Sequence, residues 1–170
     1  MTDRFTAARG RKVISRASAE ELGTVSHLVV DVERRRIAGV VVGKRRRARL
    51  VDWADVTGFG PDAVLITDEQ SLREPSGDAD RAAARGHLEL LGRGAMSDLG
   101  SELGKIDDVI FDPDSGALVT FVVGDHELPG RSLLGAGSFA VILGPDDDQS
   151  TGETPRRDLD TVPPAAPAGP

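Results

Sequence analysis

The sequence contains no cysteine and no tyrosine. The first absence excludes disulfides and thiolate metal sites, and with them the usual staples of small secreted domains. Aromatic residues make up only 4% of the chain, with a single tryptophan. A core must therefore be assembled from Val, Ile and Leu, which suit pleated strands better than a large ligand pocket. No apolar run approaches the roughly 20 residues that span a bilayer. The opening MTDRFTAARGRKV lacks the apolar middle of a signal peptide. A cytoplasmic protein is the expectation. Arginine far outnumbers lysine, and Ala, Gly and Pro are plentiful, a composition that suits a GC-rich bacterial genome.

What is present is dominated by a repeat. Residues 19–43, AEELGTVSHLVVDVERRRIAGVVVG, align without a gap with residues 100–124, GSELGKIDDVIFDPDSGALVTFVVG. Glu21-Leu22-Gly23 falls on Glu102-Leu103-Gly104, Asp31 on Asp112, and Val41-Val42-Gly43 on Val122-Val123-Gly124. Most remaining pairs exchange one apolar residue for another, so duplication of one supersecondary unit is the simplest explanation. Each unit reads as a β-hairpin. Strands are expected over Thr24–Asp31 and Lys105–Asp112, turns at Glu33–Arg36 and Pro113–Gly116, and return strands at Ile37–Val42 and Ala117–Val123. The first unit continues with a strand at Ala48–Val51, a turn capped by Asp52, a break at Gly58–Asp62 and a strand at Ala63–Thr67. The second unit opens at His87–Leu91, continues through Ser132–Leu134 and closes at Ser138–Leu143, with no counterpart to Trp53.

The succession Arg11-Lys12-Val13-Ile14, Glu21-Leu22-Gly23-Thr24-Val25, Asp31, Gly39-Val40-Val41-Val42, Val51-Asp52-Trp53-Ala54-Asp55-Val56 and Gly60-Pro61-Asp62-Ala63-Val64 resembles a PRC-barrel domain. That family is named for the cytoplasmic domain of the photosynthetic reaction-centre H subunit, and includes the C-terminal domain of the small-subunit ribosome maturation factor. The resemblance covers residues 10–68 and, more weakly, 88–143. It implies a small β-barrel used for protein–protein contact, without chemistry of its own. The expected organisation is all-β: two small PRC-like β-barrels in tandem. A flexible N-terminus would occupy residues 1–9, barrel one 10–70, a linker 71–86, barrel two 87–144 and a disordered tail 145–170. A helical turn or two is expected within Asp80–Arg85. Barrels of this size are marginal alone, so the two are expected to pack together or to dimerise.

No catalytic, metal or cofactor site is legible. His27, His87 and His126 are far apart and lack metal-ligand spacing. No nucleophile has an activating neighbour. Asp112-Pro113-Asp114-Ser115-Gly116 resembles the start of a calcium loop, but Val123 stands where the loop needs its final acid, and a hairpin turn is the better reading. Gly135-Ala136-Gly137 lacks the third Gly and the Lys of a phosphate loop. These absences speak against an enzyme.

Charge is the one feature above background. Residues 11–50 carry eleven basic and four acidic side chains, while residues 98–130 carry eight acidic side chains and one basic, Lys105. The matched turns oppose Arg34-Arg35-Arg36 to Asp114, and the following loops oppose Lys44-Arg45-Arg46-Arg47 to Asp125-His126-Glu127. The plain reading is solvated loop charge. The functional reading makes Arg34, Arg35, Arg36, Lys44, Arg45, Arg46, Arg47 and Arg49 an electropositive contact surface, with Trp53 either a core anchor or a contact residue. Its partner could be the second barrel of the same or a neighbouring chain, another protein, RNA or an anionic lipid surface. A role as a ribosome-assembly or RNA-binding accessory factor is the alternative. It is weakened by the net charge of −7 and by the lack of aromatic stacking residues near the arginines.

Overall fold

A computed structural model describes residues 1–145; the expected disordered tail lies, from residue 146 onward, outside the described residues. The chain is mainly β, with two sheets in two β-rich halves. The N-terminal segment forms a two-residue strand β1 (Asp3–Arg4) and one helical turn α1 (Phe5–Ala8). The first half follows with β2 (Lys12–Ser15), β3 (Glu21–Asp31), β4 (Arg36–Val42), β5 (Arg49–Asp52), β6 (Val56–Phe59) and β7 (Ala63–Ile66). Helix α2 (Gly77–Ala84) precedes the second half. That half comprises β8 (Gly94–Ser97), β9 (Glu102–Phe111), β10 (Leu118–Val123), β11 (His126–Pro129), β12 (Leu133–Ala136) and β13 (Ala140–Leu143).

The two sheets have the same strand order. The first runs β5-β4-β3-β2-β7-β6 and the second β11-β10-β9-β8-β13-β12. Each contains one parallel pair, β2 with β7 and β8 with β13, among antiparallel neighbours. The end strands β5 and β6 are joined by one 3-10 turn, Trp53–Asp55, and β11 and β12 by another, Gly130–Ser132. Each sheet therefore returns on itself and closes as a small barrel through a chain connection. Register shifts in β3–β4 and β9–β10 supply the bends that closure requires. Equivalent residues hold equivalent pairings: Val25 opposes Val42 in one half, and Ile106 opposes Val123 in the other.

The halves share one core. Val13, Ile37, Val64, Ile106, Phe121 and Val141 belong to a single buried cluster that spans both sheets. The scarce aromatic rings gather at the seam. Phe111 of the second half stacks edge-on against Phe5 at 5.5 Å and Phe59 at 5.3 Å, and lies 6.4 Å from Trp53. The two hairpin turns also meet there. Ile37 donates its backbone N–H to the Gly116 carbonyl (2.8 Å), and Leu118 donates to that of Arg35 (3.0 Å).

Several expectations are corrected. Residues 1–9 are not a flexible terminus. β1 pairs with β9, Phe5 and Ala8 are buried, and the Asp108 carboxylate accepts from the Thr6 N–H (3.2 Å) and hydroxyl (2.7 Å). The segment gains its order from the far half, which no local pattern reveals. Residues 71–86 are likewise more than a linker. α2 docks on the first half, where Ala83 joins Val41, Ala48 and Leu50 in a small satellite core. Each half thus receives the segment that leads into the other. His87–Leu91 is turn, and the opening strand of the second half is β8. His126 and Glu127, read as loop, belong to β11. Asp52 makes no cap; its carboxylate accepts from Arg73 (3.0 Å).

His27 and Asp108 occupy equivalent positions, and each holds a docked segment. The His27 ring is buried, and its Nε2–H donates to the Ala83 carbonyl of α2 (2.6 Å). Burial, with a further contribution from the nearby Arg9 cation, pushes the His27 pKa below its ordinary value of 6.5. The neutral ring is favoured in the fold. Below pH 6.5 the unfolded chain binds a proton that the folded chain refuses, so stability falls as pH falls toward the lowered folded value. A thermal midpoint that drops between pH 7.5 and 5.5 is expected, and His27→Gln, which retains a donor, should flatten that slope.

Candidate interaction groove

The nine residues singled out from sequence separate into three places. Trp53 is buried, as the core-anchor reading has it and not the exposed-contact one. Its ring lies over the second half's hairpin turn at Gly116, where an added Cβ would meet Trp53 Cε2 at 2.8 Å, and Gly116 itself has φ +76°. A large ring at the seam thus faces a position that only glycine fits. Gly130 follows β11 as Trp53 follows β5, and there the Leu118 carbonyl oxygen stands 1.9 Å from where a Cβ would be. Backbone fills the space that tryptophan fills in the first half.

Arg34, Arg35 and Arg36 sit at the same seam. Arg34 pairs with Asp31 at 3.8 Å. Arg35 has φ +53°, and its Nε–H donates to the Leu133 carbonyl of the second half (3.0 Å). Arg36 forms an antiparallel bridge with Ala117. The basic turn therefore meets the second half of its own chain through backbone and one guanidinium.

Lys44, Arg45, Arg46, Arg47 and Arg49 lie at the other end of β4. Arg45–Arg47 form one 3-10 turn, exposed at every position, with Arg45 at φ +57°. A non-glycine residue there costs about 1–3 kcal/mol and persists only where its surroundings enforce it. Buried Ala48 pins the turn to the satellite core below. Opposite it lies α2, whose Arg81 and C-cap residue Arg85 are four residues apart and hence on one face. The turn and the helix bound an open groove of about 850 Å³, lined by Arg45, Arg46, Arg47, Arg49, Arg81 and Arg85 around Ala48, Pro75 and Ala84. Glu74 is its one acidic lining residue.

The helix is held in place from outside the groove. Arg73 exchanges both backbone hydrogen bonds with Leu50 (2.9 Å each), extending the edge beyond β5. Its guanidinium pairs with Asp52 at 3.0 Å and also with Asp80. The Asp80 hydrogen bond raises the Arg73 pKa, and the Arg73 guanidinium in turn lowers that of Asp80. The groove cations themselves are largely uncompensated. Arg81 reaches exposed Asp78 at 3.5 Å, whereas Arg45, Arg46, Arg47, Arg49 and Arg85 make no ion pair among the described residues.

Arg81, Arg85 and Glu74 were missed from sequence because they fall in the polar stretch between the units. The available signal was the four-residue spacing of the two arginines. Among the described residues no three His, Asp or Glu side chains gather as a metal-holding set. The calcium-like Asp112 carboxylate is engaged within its own turn by the Asp114 N–H (2.9 Å) and the Ser115 hydroxyl (2.8 Å), which also lower its pKa. No described helix is long and apolar enough to cross a membrane.

The model of the PRC-barrel domain matches residues 3–72. The first half is similar to a PRC-barrel domain. Its matched span begins at β1 and ends one residue before Arg73, so the family unit includes the N-terminal segment that docks on the second half. No curated protein matches the chain.

Proposed function

We propose that the chain is a non-catalytic interaction module, in which two diverged copies of one PRC-barrel unit form a single body and the groove of the first copy takes an acidic segment of a protein partner. The copy relationship is supported by the common strand order and by the matched openings of β3 and β9 at Glu21 and Glu102. The observation that carries the function is the convergence of six arginines, from two segments distant in sequence, on a concave site with a small apolar floor. Arginine stays charged at any working pH and presents a planar fork that matches carboxylates. It neither accepts nor releases a proton there, so the groove suits recognition and not acid–base chemistry. No aromatic ring lines it, which removes the stacking platform that single-stranded RNA uses.

Fluorescence anisotropy with a labelled oligo-glutamate peptide tests the reading. The double variant Arg46→Glu/Arg85→Glu should weaken binding at least tenfold while leaving the thermal midpoint nearly unchanged, since both side chains are exposed. Binding that survives the double reversal, or tighter retention of a single-stranded RNA of equal charge, would contradict it.

A further inference from the structure

We infer that one acidic occupant of the groove is a second copy of this chain, whose β10–β11 turn enters head to tail. The inference rests on the groove reading above. β4 and β10 start side by side at the seam, where Arg36 and Ala117 form an antiparallel bridge. They leave it in opposite directions. From Arg36 to Val42 and from Ala117 to Val123, at about 3.3 Å per residue, their far ends lie up to about 40 Å apart. The groove is at the far end of β4. The far end of β10 carries the equivalent loop, and its charge is inverted.

That loop is a projection. Val123 pairs directly with His126, leaving Gly124 and Asp125 as a two-residue hairpin turn. Asp125 stands at the tip, Glu127 follows it in β11, and Asp107 supports it by accepting the Gly124 N–H (2.9 Å). All three carboxylates belong to exposed residues, and Asp125 and Glu127 make no ion pair among the described residues. A narrow acidic tip and an open arginine groove are complementary in sign and in shape. Separation along opposite strand directions keeps them from meeting within one molecule, so they meet only between molecules. A contact between two different patches is heterologous, and repeats into rings or open chains. Both partners are solvated, so the contact is weak and salt-sensitive.

Sedimentation velocity on the full chain tests this. At low salt the weight-average mass should rise with protein concentration, and it should return to the monomer at high salt. The groove variant Arg46→Glu/Arg85→Glu and the tip variant Asp125→Lys/Glu127→Lys should each be monomeric alone. An equimolar mixture of the two should form a dimer and nothing larger, because it contains only one intact groove and one intact tip per pair. A tip variant that assembles like the wild type overturns the proposal. So does a wild type that stays monomeric at low salt. If that monomer still binds oligo-glutamate, the self-contact alone is lost and the groove reading stands; if it does not, the groove reading fails with it.

Discussion

Replacing Phe5 by Ala is expected to lower the unfolding free energy by about 3 kcal/mol, the usual cost of emptying a buried phenylalanine site. Phe5 is 4% exposed and packs edge-on against Phe111 of the other half. The loss therefore falls on the joint between halves. Thr6→Val with Asp108 retained should add to it, because the buried carboxylate then loses its shortest hydrogen bond, the 2.7 Å one from the Thr6 hydroxyl, and keeps the backbone N–H groups of residue 6 and Val109 and the exposed Arg4 guanidinium at 3.3 Å. Denaturant unfolding followed by far-UV circular dichroism reads both effects. A Phe5→Ala midpoint within about 0.5 kcal/mol of wild type, the range typical of surface substitutions, would show that the N-terminal segment contributes little.

Trp53 supplies the second large effect. Trp53→Ala should cost about 3–5 kcal/mol, as large-to-small changes at buried aromatic sites do. Gly116→Ala should cost more than the 1–2 kcal/mol that a left-handed residue typically requires, because its Cβ also meets the Trp53 ring. In the Trp53→Ala background that second component disappears. The double variant should therefore be more stable than the sum of the single losses by about 1 kcal/mol or more, a coupling typical of residues in contact. Strict additivity would place Trp53 away from the Gly116 turn.

The same two sites show what a sequence can and cannot disclose. The hairpins were legible because alternation, turn residues and repetition all act within a few residues of one another. Glu21–Val42 and Glu102–Val123 are strands and turns where those signals place them. Trp53 stood out as the lone tryptophan, but its burial depends on Gly116, sixty-three positions away. Phe5 had no apolar periodicity around it; Phe111 provides its packing. The groove was half legible. Arg45–Arg49 announced themselves as a charge run, whereas Arg81 and Arg85 gained meaning only once Arg73 and His27 fixed α2 beside that run. The buried polar residues His27 and Asp108 at matched positions were the overlooked sign that each strand carries a docked segment.

This arrangement has a functional consequence. A shared core lets two small barrels act as one rigid body, with basic charge at one end and acidic charge at the other. Independent barrels on a tether would not hold the two ends apart. Differential scanning calorimetry of the full chain addresses that point most directly. Joined halves predict one heat-absorption peak whose van't Hoff enthalpy equals the calorimetric enthalpy. Two resolved peaks, or a van't Hoff value near half the calorimetric one, would mean that the barrels melt separately and that no single body sets the geometry of the groove and the acidic tip.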